Sequence, residues 1–246
     1  GLDAGANFRD PHHPDAPPSN VLRLRDRPEV VAATMGLEPA EFALRRGRVD
    51  AALLAARELR PQPGLDDKIL AGWNGLMIKG FADAGRVLQE SKYIDAANRA
   101  ADAVLKKLGR EDGGLYRTAR GDVVQIDAFL EDYALLTEGL LALHLATNDP
   151  IRLEQAAALM EAARVRFWND ERGGWFDTQA GQSDLIVRAV NMNDGAVPSG
   201  AGTMLLNMYE LAQRTGKPSY LDGMQWAVAG MSTGIAQNPS GAARSV

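Results

Sequence analysis

Three aspartates stand out as candidates for acid–base chemistry. Asp67, Asp132 and Asp194 each fall where a helical pattern begins, at spacings of 65 and 62 residues. If the helices behind them run in one direction, their N-termini meet at one end of the molecule. One mouth would then collect Asp67 with Trp73 and Asn74, Asp132 with Tyr133, and Asp194 with Ser199. Paired carboxylates suit general acid–base or nucleophilic work at a glycosidic bond, and aromatic faces stack on the apolar faces of sugar rings. On this reading Asp132 and Asp194 are the acid/base pair and Asp67 orients. Tyr133 and Trp175 contact the sugar, with Trp73, Asn74 and Ser199 completing the binding wall.

A structural reading of the same residues stands beside it. Asp and Ser are among the strongest helix N-caps, and a cap repeated with the fold would recur at the same spacing. A helix N-terminus also lowers a carboxyl pKa, which suits a nucleophile or base and works against a proton donor. Trp73 lies on an apolar stripe, which predicts a core position. Ser199 in Val197-Pro198-Ser199-Gly200 lacks the nucleophile elbow and predicts a cap. His144 sits on a nearly uniform apolar helix and predicts a hydrogen-bonded core histidine. His12 and His13 have no ligand-like spacing to any acid. Asn191–Gly195 resembles a calcium loop, but no Glu stands at the last ligand position. With no cysteine and three histidines in the chain, no metal and no cofactor is expected.

The elements that would position these residues are helical. Residues 1–27 carry Pro11, Pro14, Pro17 and Pro18 and read as an irregular lead-in; residues 28–246 read as one helical array. A short helix near 28–35 ends at Gly36, and a second runs from Pro39 to about Leu59. Ile69, Leu70, Trp73, Leu76, Met77, Phe81, Ala84, Val87 and Leu88 recur at threes and fours from Asp67 onward. A partner helix follows from Tyr93 with Ala97, Ala100, Val104 and Leu108 on its stripe. Leu115–Thr118 and Val123–Ile126 then flank Arg120-Gly121-Asp122 as a small hairpin. The order repeats: helices over about 128–146 and 151–168, a second hairpin from Trp175–Thr178 with Leu185–Val187, and helices near 199–214 and 219–236. Gly113-Gly114-Leu115-Tyr116-Arg117-Thr118 matches Gly173-Gly174-Trp175-Phe176-Asp177-Thr178, 60 residues apart.

A period of about 60 residues, each an αα-hairpin with a short ribbon, predicts a stacked or toroidal array. The helix from Ala128 is apolar nearly all round. The one after it keeps Arg152, Glu154, Glu161 and Arg164 for water. Buried inner helices inside an amphipathic outer ring explain that asymmetry. The fold class is therefore all-α, an (α/α) toroid segment. About eight helices fall short of the six hairpins of a closed ring, so the barrel is expected to be incomplete.

The 246 residues hold 32 acids and 27 bases, a formal net charge of −5. Scattered Lys and Arg, with Arg45, Arg46 and Arg48 as a solvated face, leave no nucleic-acid footprint. No apolar run reaches the roughly 18–20 residues of a membrane helix. The chain starts Gly1-Leu2-Asp3 with no signal segment and reads as a cytoplasmic piece of a longer protein. Inner-helix surface left bare in such a piece would invite dimerisation.

Leu65–Leu76, with Asp67-Lys68-Ile69-Leu70-Ala71-Gly72-Trp73-Asn74-Gly75 at its centre, resembles a known family. Phe129-Leu130-Glu131-Asp132-Tyr133-Ala134, Asn193–Gly200, and Gly5-Ala6-Asn7-Phe8 leading to Asn20-Val21-Leu22 add to the match. Together they are similar to the spermatogenesis-associated, thioredoxin-domain-containing proteins, YyaL-like in bacteria. The resemblance implies an N-terminal thioredoxin-like domain outside this chain. It also implies a barrel similar to N-acylglucosamine 2-epimerases and six-hairpin glycosidases, so a sugar or small-molecule ligand is expected. Epimerases of that fold use histidines, and here only His144 lies in the helical region, so the aspartates fit six-hairpin hydrolases better; the expected function is a carbohydrate-active barrel, hydrolase-like or epimerase-like, using the helix-entry aspartates. The alternative is a non-catalytic scaffold or substrate-presenting domain for the thioredoxin-like module.

Overall fold

The computed structural model describes residues 7–19, 21, 24, 26–182 and 185–243. The chain forms two compact units, Gly1–Leu65 and Asp66–Val246. In the first, Asn7 exchanges side-chain hydrogen bonds with the backbone of Val21, and Phe8 bridges Ser19. Gly5, Ala6, Asn20 and Leu22 of the sequence resemblance lie outside the described residues. Helices α1 (Pro28–Thr34) and α2 (Pro39–Glu58) each begin at a proline. There the fixed φ is already helical and the missing N–H has no helical partner to lose.

The second unit carries the sites. Its order is β1 (Ile69–Leu70), α3 (Ala71–Leu88), α4 (Ser91–Leu108), β2 (Tyr116–Arg120), β3 (Val123–Asp127), α5 (Leu130–Thr147), α6 (Pro150–Phe167), α7 (Gly200–Thr215) and α8 (Pro218–Gln237). Helix α5 packs against α3 and α7, while α4, α6 and α8 each pack on the helix before them. Three hairpins thus stand side by side, with α3, α5 and α7 inside. Helix α5 is sealed: Leu130, Tyr133, Ala134, Leu135, Leu136, Leu140, Leu141 and Leu143 are all buried. Each such leucine contributes about 1.5–3 kcal/mol. Helix α4 instead buries one stripe, Ala97, Ala101, Val104 and Leu108.

Helices α3 and α5 cross with their backbones in contact. A Cβ on Gly75 would lie 2.4 Å from the carbonyl carbon of Leu135, and one on Gly139 would lie 2.6 Å from the Gly75 carbonyl oxygen. No other residue type fits that crossing. On the outer layer, α4 and α6 are tied by Arg152. Its Nε and Nη2 donate to Asn98 Oδ1 at 3.2 and 2.9 Å and its Nη1 donates to Asp102 Oδ1 at 2.6 Å. This arginine, expected in solvent, is 6% exposed. Its fork finds acceptors on the neighbouring hairpin, and they satisfy the charge that burial would otherwise leave unmet.

Strands β1, β2 and β3 form one antiparallel sheet, with Leu70 opposite Thr118 and Thr118 opposite Gln125. Two expectations are corrected here. Ile69 and Leu70 pair in β1 rather than opening the helix, so α3 begins at Ala71. The second hairpin does not form among the described residues. Both Gly-Gly segments open alike, with Gly109 bridging Leu115 and Trp168 bridging Trp175, and Gly113 and Gly173 share φ +76°. After Trp175 the paths part. Arg188 donates to the Thr178 and Arg166 carbonyls and stacks 4.0 Å from the Phe176 ring centroid, and Leu130 N–H donates to the Asp177 carbonyl at 3.0 Å. Those bonds use the groups a ladder would need.

Candidate functional site

The first turns of the three inner helices do meet. Gly72 N–H, in the first turn of α3, donates to Asp132 Oδ1 on α5 at 3.1 Å. A Cβ on Gly200, first residue of α7, would stand 3.0 Å from Glu131 N. Beside this junction lies a cavity of about 340 Å³. Phe129 and Glu131 of the α5 start, Asp177 and Thr178, and Asn191, Asn193 and the stretch from Gly195 to Gly200 line it, while Asp194 does not.

Asp132 does not face this cavity. It is 2% exposed, at the third position of α5, and its Oδ2 accepts from the Phe129 N–H at 3.0 Å. That is a carboxylate reaching back over its own helix start, as a capping box does. Arg117 Nη1, delivered by β2, donates to Asp132 Oδ2 at 2.9 Å and to Glu131 Oε1 at 2.7 Å. The guanidinium lies 4.9 Å from the Phe129 ring centroid. Burial pushes the Asp132 carboxyl up, against the pull of Arg117 and of the two backbone donors. Burial also works against the Arg117 charge, but its hydrogen bond to Glu131 and the charge of Asp132 outweigh it and hold the guanidinium above its usual range.

Asp177 sits across from this cluster. Its carboxylate accepts from Asn191 N–H at 3.3 Å. Desolvation raises its pKa, the Asn191 bond opposes that, and the charge of Glu131 adds to it. Two carboxyl groups with different surroundings therefore share one cavity: Glu131 hydrogen-bonded to a cation, Asp177 desolvated. That is the arrangement by which a site separates an anionic carboxylate from a proton donor.

The remaining expected site residues are elsewhere or structural. Asp67 lies four residues before α3, half exposed, and pairs with Arg120 Nε at 2.6 Å; it caps no helix, because β1 intervenes. Asp194 Oδ1 accepts from Ser199 N–H at 2.9 Å, and Ser199 Oγ accepts from Gly202 N–H at 3.2 Å. Ser199 is therefore the α7 N-cap and also part of the cavity wall, while Asp194 braces the loop leading into it. Tyr133 is buried with its hydroxyl accepting from Leu115 N–H at 2.8 Å, its ring edge-on to Phe167. Trp175 is buried against Trp168. Neither ring has a face free for a sugar. Trp73, expected in the core, is 61% exposed, because α3 turns its Gly72, Gly75 and Ile78 side inward instead. Asn74 Nδ2 donates to the Leu70 carbonyl at 2.8 Å. His144 is hydrogen-bonded as expected, its Nδ1 donating to the Asp149 carbonyl at 2.8 Å, but it is half-buried rather than in the core.

Glu131, Asp177 and Arg117 escaped the sequence reading. The signal was present in the repeat. Arg117 and Asp177 hold the same place in the two Gly-Gly segments, one cationic and one anionic, and both arrive at the start of α5. Among the described residues no group of three or more His, Cys, Asp or Glu could hold a metal ion, and no helix is long and apolar enough to cross a membrane.

No protein-family model matches the chain. Over 214 residues it is 37% identical to spermatogenesis-associated protein 20 of Rattus norvegicus, covering 82% of this chain and 27% of that protein. The Homo sapiens protein of the same name is 34% identical over 215 residues with the same coverage. The chain thus spans about a quarter of the length of these curated relatives. Among solved structures it is similar to a glycoside hydrolase family 76 α-mannanase of Bacteroides thetaiotaomicron, at TM-score 0.55 and 17% identity over 70% of this chain and 46% of that one. It is also similar to cellobiose 2-epimerase from Spirochaeta thermophila, at TM-score 0.56 and 18% identity over 71% and 46%. A third is an inactive variant of an α-1,6-mannanase of Salegentibacter with two consecutive aspartates replaced, bound to α-1,6-mannotriose, at TM-score 0.54 and 13% identity over 68% and 47%. At these identities the likeness is one of fold, the (α/α) barrel of glycosidases and epimerases.

Proposed function

The chain belongs to the spermatogenesis-associated protein 20 family over the segment they share, and we propose that this segment binds a sugar in the cavity at the α5 start and acts on it in a hydrolase-like way. One observation carries the reading: Glu131 and Asp177 line the same cavity with unlike surroundings. Glu131, held by Arg117, supplies the anionic carboxylate as nucleophile or base. Asp177, with its raised proton affinity, supplies the proton to the leaving oxygen. Asp132 and Asp194 support rather than react, Asp132 from behind Glu131 and Asp194 from behind Ser199. Phe129 offers an aromatic wall, and Thr178, Asn191 and Asn193 offer polar groups for hydroxyls.

The test is a thermal-shift and calorimetric screen of the full-length protein with methyl α-mannoside, mannose and cellobiose, beside Glu131→Gln and Asp177→Asn. Ligand at 100 times its Kd stabilises by about 2.7 kcal/mol. A shift with a sugar that both variants weaken supports the reading. No shift with any of them overturns it and leaves the segment a scaffold for the rest of the longer protein.

A further inference from the structure

We propose that Arg117 is the positioning residue of this cavity: one guanidinium nitrogen aims the Glu131 carboxylate and pairs with Asp132 behind it. The meaning of this for turnover rests on the sugar reading; the assignment itself rests on geometry. Asp132 does not depend on Arg117 to fill its two oxygens, since Gly72 N–H serves Oδ1 and Phe129 N–H serves Oδ2. Glu131 is different. It projects from the second residue of α5 toward the cavity, and the 2.7 Å bond from Arg117 Nη1 ties it to the protein. The same nitrogen reaches both carboxylates, so Arg117 acts on them as one unit.

The arginine is itself fixed from three sides. Its backbone is held in β2, between the Tyr116–Asp127 and Thr118–Gln125 pairs. Its guanidinium rests against the Phe129 ring, and its charge meets two acids. Strand β1 pairs with β2 through Leu70 and Thr118 and then runs directly into α3, which supplies the Gly72 amide. The small sheet is therefore more than a connector: it brings the cation to the helix start in register. Among the described residues the charged groups facing the pair are Arg117 from β2 and Asp177 from the segment after Trp175, and α3 contributes the Gly72 amide dipole.

The test is a carboxyl-carbon NMR titration of the ligand-free protein, wild type against Arg117→Gln and Arg117→Lys, with the pH profile of sugar binding as a second measurement. In Arg117→Gln the Asp132 carboxyl loses the cation that opposes the effect of its burial and titrates at higher pH, and the Glu131 carboxyl resonance shifts as its hydrogen bond is lost. In Arg117→Lys a single ammonium meets one acid, so one of the two resonances moves and the other stays. A purely structural arginine would leave the Asp132 titration and the Glu131 resonance in place while lowering stability, and that result overturns the proposal. If Arg117→Gln does not fold, Arg117→Lys alone decides between these outcomes. Because the titration needs no ligand, its failure is separate from a failure to bind sugar. If both hold, the pH profile of binding moves with the titration.

Discussion

Replacing Asp132 with alanine tests whether this buried carboxyl is a clamp between helices. The change takes the acceptor from two backbone amides. Gly72 N–H is buried, so its loss counts in full, about 1–3 kcal/mol. Phe129 N–H is half-buried, where water recovers part of the bond, leaving about 0.5–1.5 kcal/mol. Removing a desolvated carboxyl returns some of its burial cost, and Arg117 keeps Glu131. The net expectation at pH 7 is a loss of about 2–4 kcal/mol, or roughly 5–12 °C in Tm for a unit of this size. The pH dependence has a definite sign. Burial raises the Asp132 pKa above 3.8 in the folded chain, so between 3.8 and the raised value the folded state holds more protons than the unfolded one. The contribution of Asp132 then falls as pH climbs through that window, and the gap between wild type and Asp132→Ala is widest below it. Urea denaturation followed by circular dichroism at several pH values measures this. A gap under about 1 kcal/mol at pH 7, or one that widens as pH rises, refutes the clamp.

Two further substitutions test the frame around the site. Gly75→Ala or Gly139→Ala drives a methyl into the backbone of the facing helix and destabilises by about 3 kcal/mol or more; a loss under about 1 kcal/mol in urea would mean that α3 and α5 do not cross as described. Ser199→Ala removes the α7 cap and costs about 1 kcal/mol, whereas Ser199→Gly costs only a few tenths; equal losses in thermal unfolding would assign Ser199 to something other than capping.

What was legible in the sequence followed from periodicity. The apolar residues at threes and fours from Trp73 to Leu88 announced α3 as a helix, though the face it buries runs through Gly72, Gly75 and Ile78, and the absence of a polar face on α5 announced an inner helix, because burial on all sides requires it. The Gly-Gly repeat marked two loops that share a left-handed first glycine, Gly113 and Gly173, and differ at the second. The failures were of a different kind. Asp67 looked like a helix cap because nothing local distinguishes Ile69-Leu70 as strand from the first turn of a helix; only pairing with Thr118 and Ala119 decides it. The second hairpin failed because Arg188, distant in sequence from the carbonyls it binds, displaces a ladder. Trp73 and Arg152 exchanged their expected environments through neighbours that helical spacing does not reveal. The chemistry of the α5 start was hidden for the same reason: Glu131 and Asp132 are adjacent in sequence, yet one faces a cavity and the other the protein interior.

The bond from Gly72 to Asp132 also gives the molecule a built-in gauge of its own opening. A second-position amide at a helix start ordinarily exchanges with solvent hydrogen by fraying of that helix alone. Here the proton is held by a side chain on another helix, so it exchanges only when the two helices part or the carboxyl swings away. The deuterium uptake of that single amide therefore reports the free energy of opening the α3–α5 junction, by whichever of the two routes costs less. Uptake at the amides deeper in α3 reports the larger cost of breaking the helix itself.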